Sequence, residues 1–189
     1  MVTFLMGLTI HEFGHALAAD LQGDRTARNA GRLTLDPRSH LDPLGTTLIV
    51  LAGFGWGKPV PFNPRNLRNK RFGTALVALA GPMTNVVLAL IGGALIGLLN
   101  PGETLLTFLY FMVLYNVLMA VFNLIPIPPL DGSRILASLL PPSRQHVVFF
   151  LDKWGFLLLF VLVFFFSRPF LYPLILRISG SVISLFSGL

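Results

Sequence analysis

Long apolar blocks alternate with short basic stretches along this chain. Crossing a bilayer core takes about 20 apolar residues, and residues 72–99 and 105–125 meet that length. Residues 1–21 meet it only by using the chain terminus, a pattern compatible with a native start further upstream. Residues 46–57 are apolar but too short to span, and Gly53, Gly55 and Gly57 interrupt them. Residues 154–189 carry Arg168-Pro169 near their middle, which predicts two short helices around a turn, a C-terminal membrane hairpin over about residues 146–189. Between the first two blocks, Gly31-Arg32-Leu33-Thr34-Leu35-Asp36 alternates and stops at Pro37, the pattern of a short edge strand near 31–36.

Composition agrees with the blocks. The chain is 54% hydrophobic and only 12% charged, against about 25% charged in ordinary globular domains, and its mean hydropathy is +0.75. At 189 residues it reads as one domain. Absence of cysteine excludes disulfides and thiolate metal sites. The net charge of +6 does not point to nucleic acid. Of the 14 Lys and Arg residues, all but Arg168 and Arg177 fall in segments 20–43, 57–71 and 131–153, whereas the 100–104 turn holds none. Basic loops stay on the cytoplasmic side, so these three share that face and segment 46–57 is re-entrant or interfacial rather than spanning. The expected fold is an all-α polytopic membrane protein, a bundle of about five or six membrane segments with that re-entrant segment and the small strand. Gly93 and Gly97 form a GxxxG that fits close packing inside such a bundle.

Chemistry enters at His11-Glu12-Phe13-Gly14-His15. Positions i and i+4 of a helix lie one above the other, so two imidazoles can face one metal. Glu12 is then placed to act as a general base on water. In an apolar helix, two histidines and a glutamate without partners would be expensive, and ionisable groups at membrane depth point to a functional site.

A catalytic zinc ordinarily has three protein ligands. Glu103 lies in the far-side turn, His40 and His146 in polar cytoplasmic stretches, and Asp20 and Asp24 in a solvated loop beyond the helix. Asp131 follows Pro126, Pro128 and Pro129, which cannot continue a helix. A helix broken at membrane depth needs protein or a wet cavity beside it, and Asp131 enters that cavity as a hard oxygen ligand. Asn85, after Gly81-Pro82, and Asn123 are candidates for holding a substrate carbonyl or the oxyanion formed in attack; helix–helix hydrogen bonding is the competing role for each.

Three motifs in order, His11-Glu12-Phe13-Gly14-His15, Ala80-Gly81-Pro82-Met83-Thr84-Asn85 and Asn123-Leu124-Ile125-Pro126-Ile127-Pro128-Pro129-Leu130-Asp131-Gly132, resemble the site-2 protease family of intramembrane zinc metalloproteases. The resemblance covers residues 1–140, a family core without PDZ or CBS domains. It implies one Zn2+ per chain on His11, His15 and Asp131, Glu12 as the base, and a membrane-embedded site near the cytoplasmic side of the cell membrane. The expected activity is endoproteolysis within or beside a transmembrane segment of a membrane-protein substrate, with residues 31–35 holding the unwound segment as an added strand. A non-hydrolytic zinc transporter or sensor is the alternative. Such a protein has no need of Glu12.

Overall fold

The computed structural model describes residues 1–45, 47, 57–70 and 72–187. Over these the chain is helical, without strands, and one isolated bridge pairs Leu41 with Gly57. Helix α1 spans Val2–Leu21, α2 Thr26–Asn29, α3 Gly73–Leu99 and α4 Glu103–Asn123. The short α5 covers Asp131–Leu139, α6 Gln145–Val161 and α7 Tyr172–Ser187. Three stretches among the described residues are long and apolar enough to cross a membrane: Gly73–Leu99, Glu103–Asn123 and Pro142–Ser187. Helix α1 is 20 residues long but is not among them, because Thr3, Thr9, His11, Glu12, His15 and Asp20 dilute its hydropathy. The expected re-entrant segment, 46–57, lies outside the described residues except at Thr47 and Gly57.

Polarity is distributed opposite to that of a soluble bundle. Asn85, Asn116 and Ser179 are buried, while Leu90, Leu98, Phe111, Phe156 and Phe164 face outward. Without water at the outer surface, apolar groups there cost nothing and polar groups must pair inside. The helices α3, α4 and α7 close a core of Ala89, Ile96, Leu109, Met112, Val113, Val117 and Ile175. The GxxxG serves this packing: a methyl at Gly93 would lie 2.8 Å from the Val182 carbonyl oxygen, and one at Gly97 would strike Phe186.

Two expectations fail, each for a physical reason. Residues 31–36 form a turn and bends rather than a strand. Leu35 is exposed, and His40 folds back to donate from Nε2 to the Thr34 carbonyl at 2.8 Å, so among the described residues the alternation has no partner strand. The chain also does not reverse at Arg168-Pro169. It stays helical from Gln145 to Ser187, with a π-helical run over Leu162–Leu171 joining α6 to α7. Pro169 cannot donate to the helix ladder, and widening to i+5 spacing is a known way for a helix to absorb such an interruption.

Candidate metal centre

Helix α1 packs against α3 and α4. Gly81 of α3 sits directly against the two imidazoles. A methyl group there would lie 2.7 Å from His11 Nε2 and would also collide with His15 Nε2. Pro82 cannot donate to the carbonyl one turn upstream, and next to that position the Val77 carbonyl accepts from His15 Nδ1 at 2.7 Å. His11 Nδ1 is 2.6 Å from Asn85 Oδ1.

These partners fix the tautomer of both rings in their neutral, metal-binding form. A carbonyl oxygen only accepts, so His15 carries its proton on Nδ1. The Asn85 amide donates to the Gly7 carbonyl at 3.1 Å and to Asn116 Oδ1 at 2.8 Å. Its own oxygen therefore faces His11, whose proton is also on Nδ1. Both Nε2 atoms are left as lone pairs, 3.0 Å apart. Asp131 Oδ2 lies 3.2 Å from each. Three acceptors at such distances repel one another unless a cation lies among them. Tetrahedral zinc, with bonds of roughly 2.0–2.2 Å, separates its ligand atoms by roughly 3.3 Å. The three donors fit that ion. They are also a group of potential metal ligands drawn from helices far apart in sequence.

Asp131 arrives as the first residue of α5, immediately after the broken stretch at 124–130. Glu12 is buried beside the ligands, and its Oε2 accepts from the Val60 amide at 3.1 Å. Val60 stands between Pro59 and Pro61. Prolines lack an amide hydrogen and bias the preceding residue to extended backbone, so the one N–H of this tripeptide is the one given to Glu12. The Val60 side chain packs on Ala16 and Ala27.

Asp24 anchors the far end of this loop and is not a solvated residue. It is fully buried. Its carboxylate accepts from Thr26 Oγ1 at 2.5 Å and the Thr26 amide at 3.2 Å, and from the Asn63 amide at 2.6 Å and Asn66 Nδ2 at 3.0 Å. Burial pushes its pKa up, but the hydrogen bonds outweigh this and hold it below the ordinary carboxylate range. Asp20 pairs with Arg28 at 2.6 Å. Glu103 and His146 are exposed, and His40, in a polar stretch of sequence, is buried by its own loop.

The two asparagines part company. Asn85 sits at the site but behind His11, with both N–H bonds committed to protein acceptors, which is not how a group is presented to substrate. Asn123 Nδ2 donates to the Met119 carbonyl of its own helix at 3.0 Å. Asn116 carries no sequence motif used above, yet it completes the network. An amide in the middle of an apolar helix was its only signal.

A family model described as Peptidase family M50 matches residues 100–165. A Bacillus subtilis (strain 168) protein named "Putative zinc metalloprotease YwhC" is 38% identical over 202 residues, covering 100% of this chain and 91% of that one. Proteins of the same description named Rip2 align as well. That of Mycolicibacterium smegmatis is 35% identical over 173 residues, and that of Mycobacterium tuberculosis (strain ATCC 25618 / H37Rv) 36% over 170. The alignments take in 85% and 86% of this chain and 64% of each Rip2. No solved structure matches. The chain belongs to peptidase family M50, the site-2 protease family, and is a zinc metalloprotease. Its apolar helices make it an integral membrane protein.

Proposed function

We propose that this chain is an intramembrane endopeptidase that hydrolyses a peptide bond within or next to a transmembrane segment of another membrane protein. The observation that carries the reading is the convergence of two imidazole lone pairs and one carboxylate oxygen inside an apolar bundle, with a buried glutamate beside them. His11, His15 and Asp131 would hold one zinc ion. When bound, zinc supplies Lewis-acid activation of water and of the scissile carbonyl.

The chain's own residues do the rest. Glu12 takes a proton from the attacking water and gives it to the leaving nitrogen. The Val60 N–H holds one oxygen of that carboxylate, fixing its direction. Asn123 remains the candidate for contact with the carbonyl undergoing attack. A helical substrate hides its carbonyls, so it unwinds before cleavage. Residues 1–189 act as one catalytic domain, and the clustering of basic residues puts the site toward the cytoplasmic face of the cell membrane.

The test uses the purified protein, a panel of single-pass membrane proteins and a chelator. Glu12→Gln keeps every ligand and removes the base, so it retains stoichiometric zinc while cleavage falls about 10²–10⁴-fold. Native-rate cleavage by this variant would remove Glu12 from the mechanism. Zinc binding by wild type with no cleavage of any substrate would favour the transport or sensing alternative.

A further inference from the structure

Asn116 lies inside α4 and is almost wholly shielded, at 1% exposure. A buried amide must satisfy its donors and its acceptor, and here each bond has a direction. Asn116 Nδ2 donates to the Met112 carbonyl at 2.8 Å. That leaves Asn116 Oδ1 turned toward α3, where it accepts from Asn85 Nδ2 at 2.8 Å. The other Asn85 N–H goes to the Gly7 carbonyl at 3.1 Å. With both donors placed, Asn85 Oδ1 faces His11 Nδ1 at 2.6 Å. The sense of one main-chain carbonyl on α4 is thus handed through two amides to a ring nitrogen on α1.

We infer that Asn116 is a positioning residue for the metal centre: it orients the Asn85 amide, and through it keeps the His11 proton on Nδ1 and the Nε2 lone pair available to zinc. The inference rests on the reading of His11 as a ligand. It makes no contact with substrate necessary. Gly7 supplies only one of the two acceptors that Asn85 needs. Without Asn116, one buried N–H of Asn85 is unpaired and the amide is free to turn. An amide turned so that its NH2 faces His11 demands a lone pair on Nδ1, which moves the proton to Nε2 and blocks coordination. Outer partners of ligating histidines typically govern metal affinity by 10–100-fold.

The experiment compares wild type with Asn116→Leu, Asn116→Asp and Val113→Ala. Val113 is fully buried on the same helix and contributes packing alone. Two quantities are read on purified protein in detergent without substrate: zinc affinity by competition with a chromophoric chelator, and the His11 tautomer by NMR of the zinc-free protein labelled at its 4 histidines. Asn116→Leu lowers zinc affinity about 10-fold or more and converts His11 from a single Nδ1–H form to a mixture. Asn116→Asp rescues both, since a protonated carboxyl donates to Met112 and accepts from Asn85 as the amide does. Val113→Ala leaves both near wild type. Wild-type affinity and tautomer in Asn116→Leu would overturn the inference. So would equal loss of zinc in all three variants, which would mean general loosening. Failure of the protease reading would leave these readouts unchanged, because neither involves cleavage.

Discussion

Around His11 the bundle is knitted by directed bonds from three helices, whereas the helical run from Gln145 to Leu171 is tied to the rest of the molecule by few side chains. Near the metal centre, Asn85, Asn116, His11 and His15 are buried and partnered. Along α6 only Gly155 and Leu159 are buried and along the π-helical run none, whereas α7 joins the core through Ile175 and meets Gly93 and Gly97 of α3 closely. Phe149, Phe156, Phe164 and Phe170 face outward instead. The first region is specific because each polar group admits one arrangement of its neighbours. The second asks only for bulk and apolarity, which many sequences satisfy in a bilayer. Substitutions should therefore be costly in the first region and cheap in the second.

The largest effect is expected at Asp131. Asp131→Ala removes one of three converging ligand atoms, so zinc content falls below stoichiometric and cleavage disappears, measured as bound metal and as product on the same preparation. Full zinc occupancy with unchanged affinity would show that the ligand set is wrong.

Next comes Asp24, which sharpens the comparison by lying away from the metal yet inside the directed network. Asp24→Asn replaces an acceptor by a group that donates toward other donors, and costs roughly 2–4 kcal/mol. Its folded pKa is depressed, so its contribution is present above the ordinary value of 3.8 and is lost as pH falls below it toward the folded value. Thermal unfolding of zinc-free wild type and variant should differ most at neutral pH and converge in that acidic window. A gap that persists undiminished would assign the stability to something other than the charge.

Much of the directed region was legible in sequence. Helical spacing paired His11 with His15, and the proline break singled out Asp131, because both depend on neighbours along the chain. The role of Asn85 was not legible, since its three partners lie on two other helices, and no spacing encodes them. Asp24 looked solvated because its partners, Asn63 and Asn66, are some 40 residues away. The 31–36 strand and the turn at Arg168-Pro169 misled for the converse reason. Alternation and proline are local signals, and a missing partner strand or a helix able to widen overrides them.

The smallest effect is expected in the weakly tied region. Phe164→Ala, on the outward face, should shift stability by no more than about 0.5 kcal/mol and leave zinc and cleavage intact, read by thermal unfolding in detergent. A loss of several kcal/mol would mean that this run is packed against something, and the contrast between the regions would dissolve.

The hold on Glu12 comes from main chain, and that shapes what mutation can reach. No side-chain replacement at position 60 deletes the N–H that Glu12 accepts; among the twenty residues, proline alone lacks it. With Pro59 and Pro61 on either side, a single further proline would leave three consecutive residues with nothing to donate. The genetic route to losing this contact is therefore one substitution wide, while Val60 itself is constrained by the space beside Ala16 and Ala27 and not by the reaction.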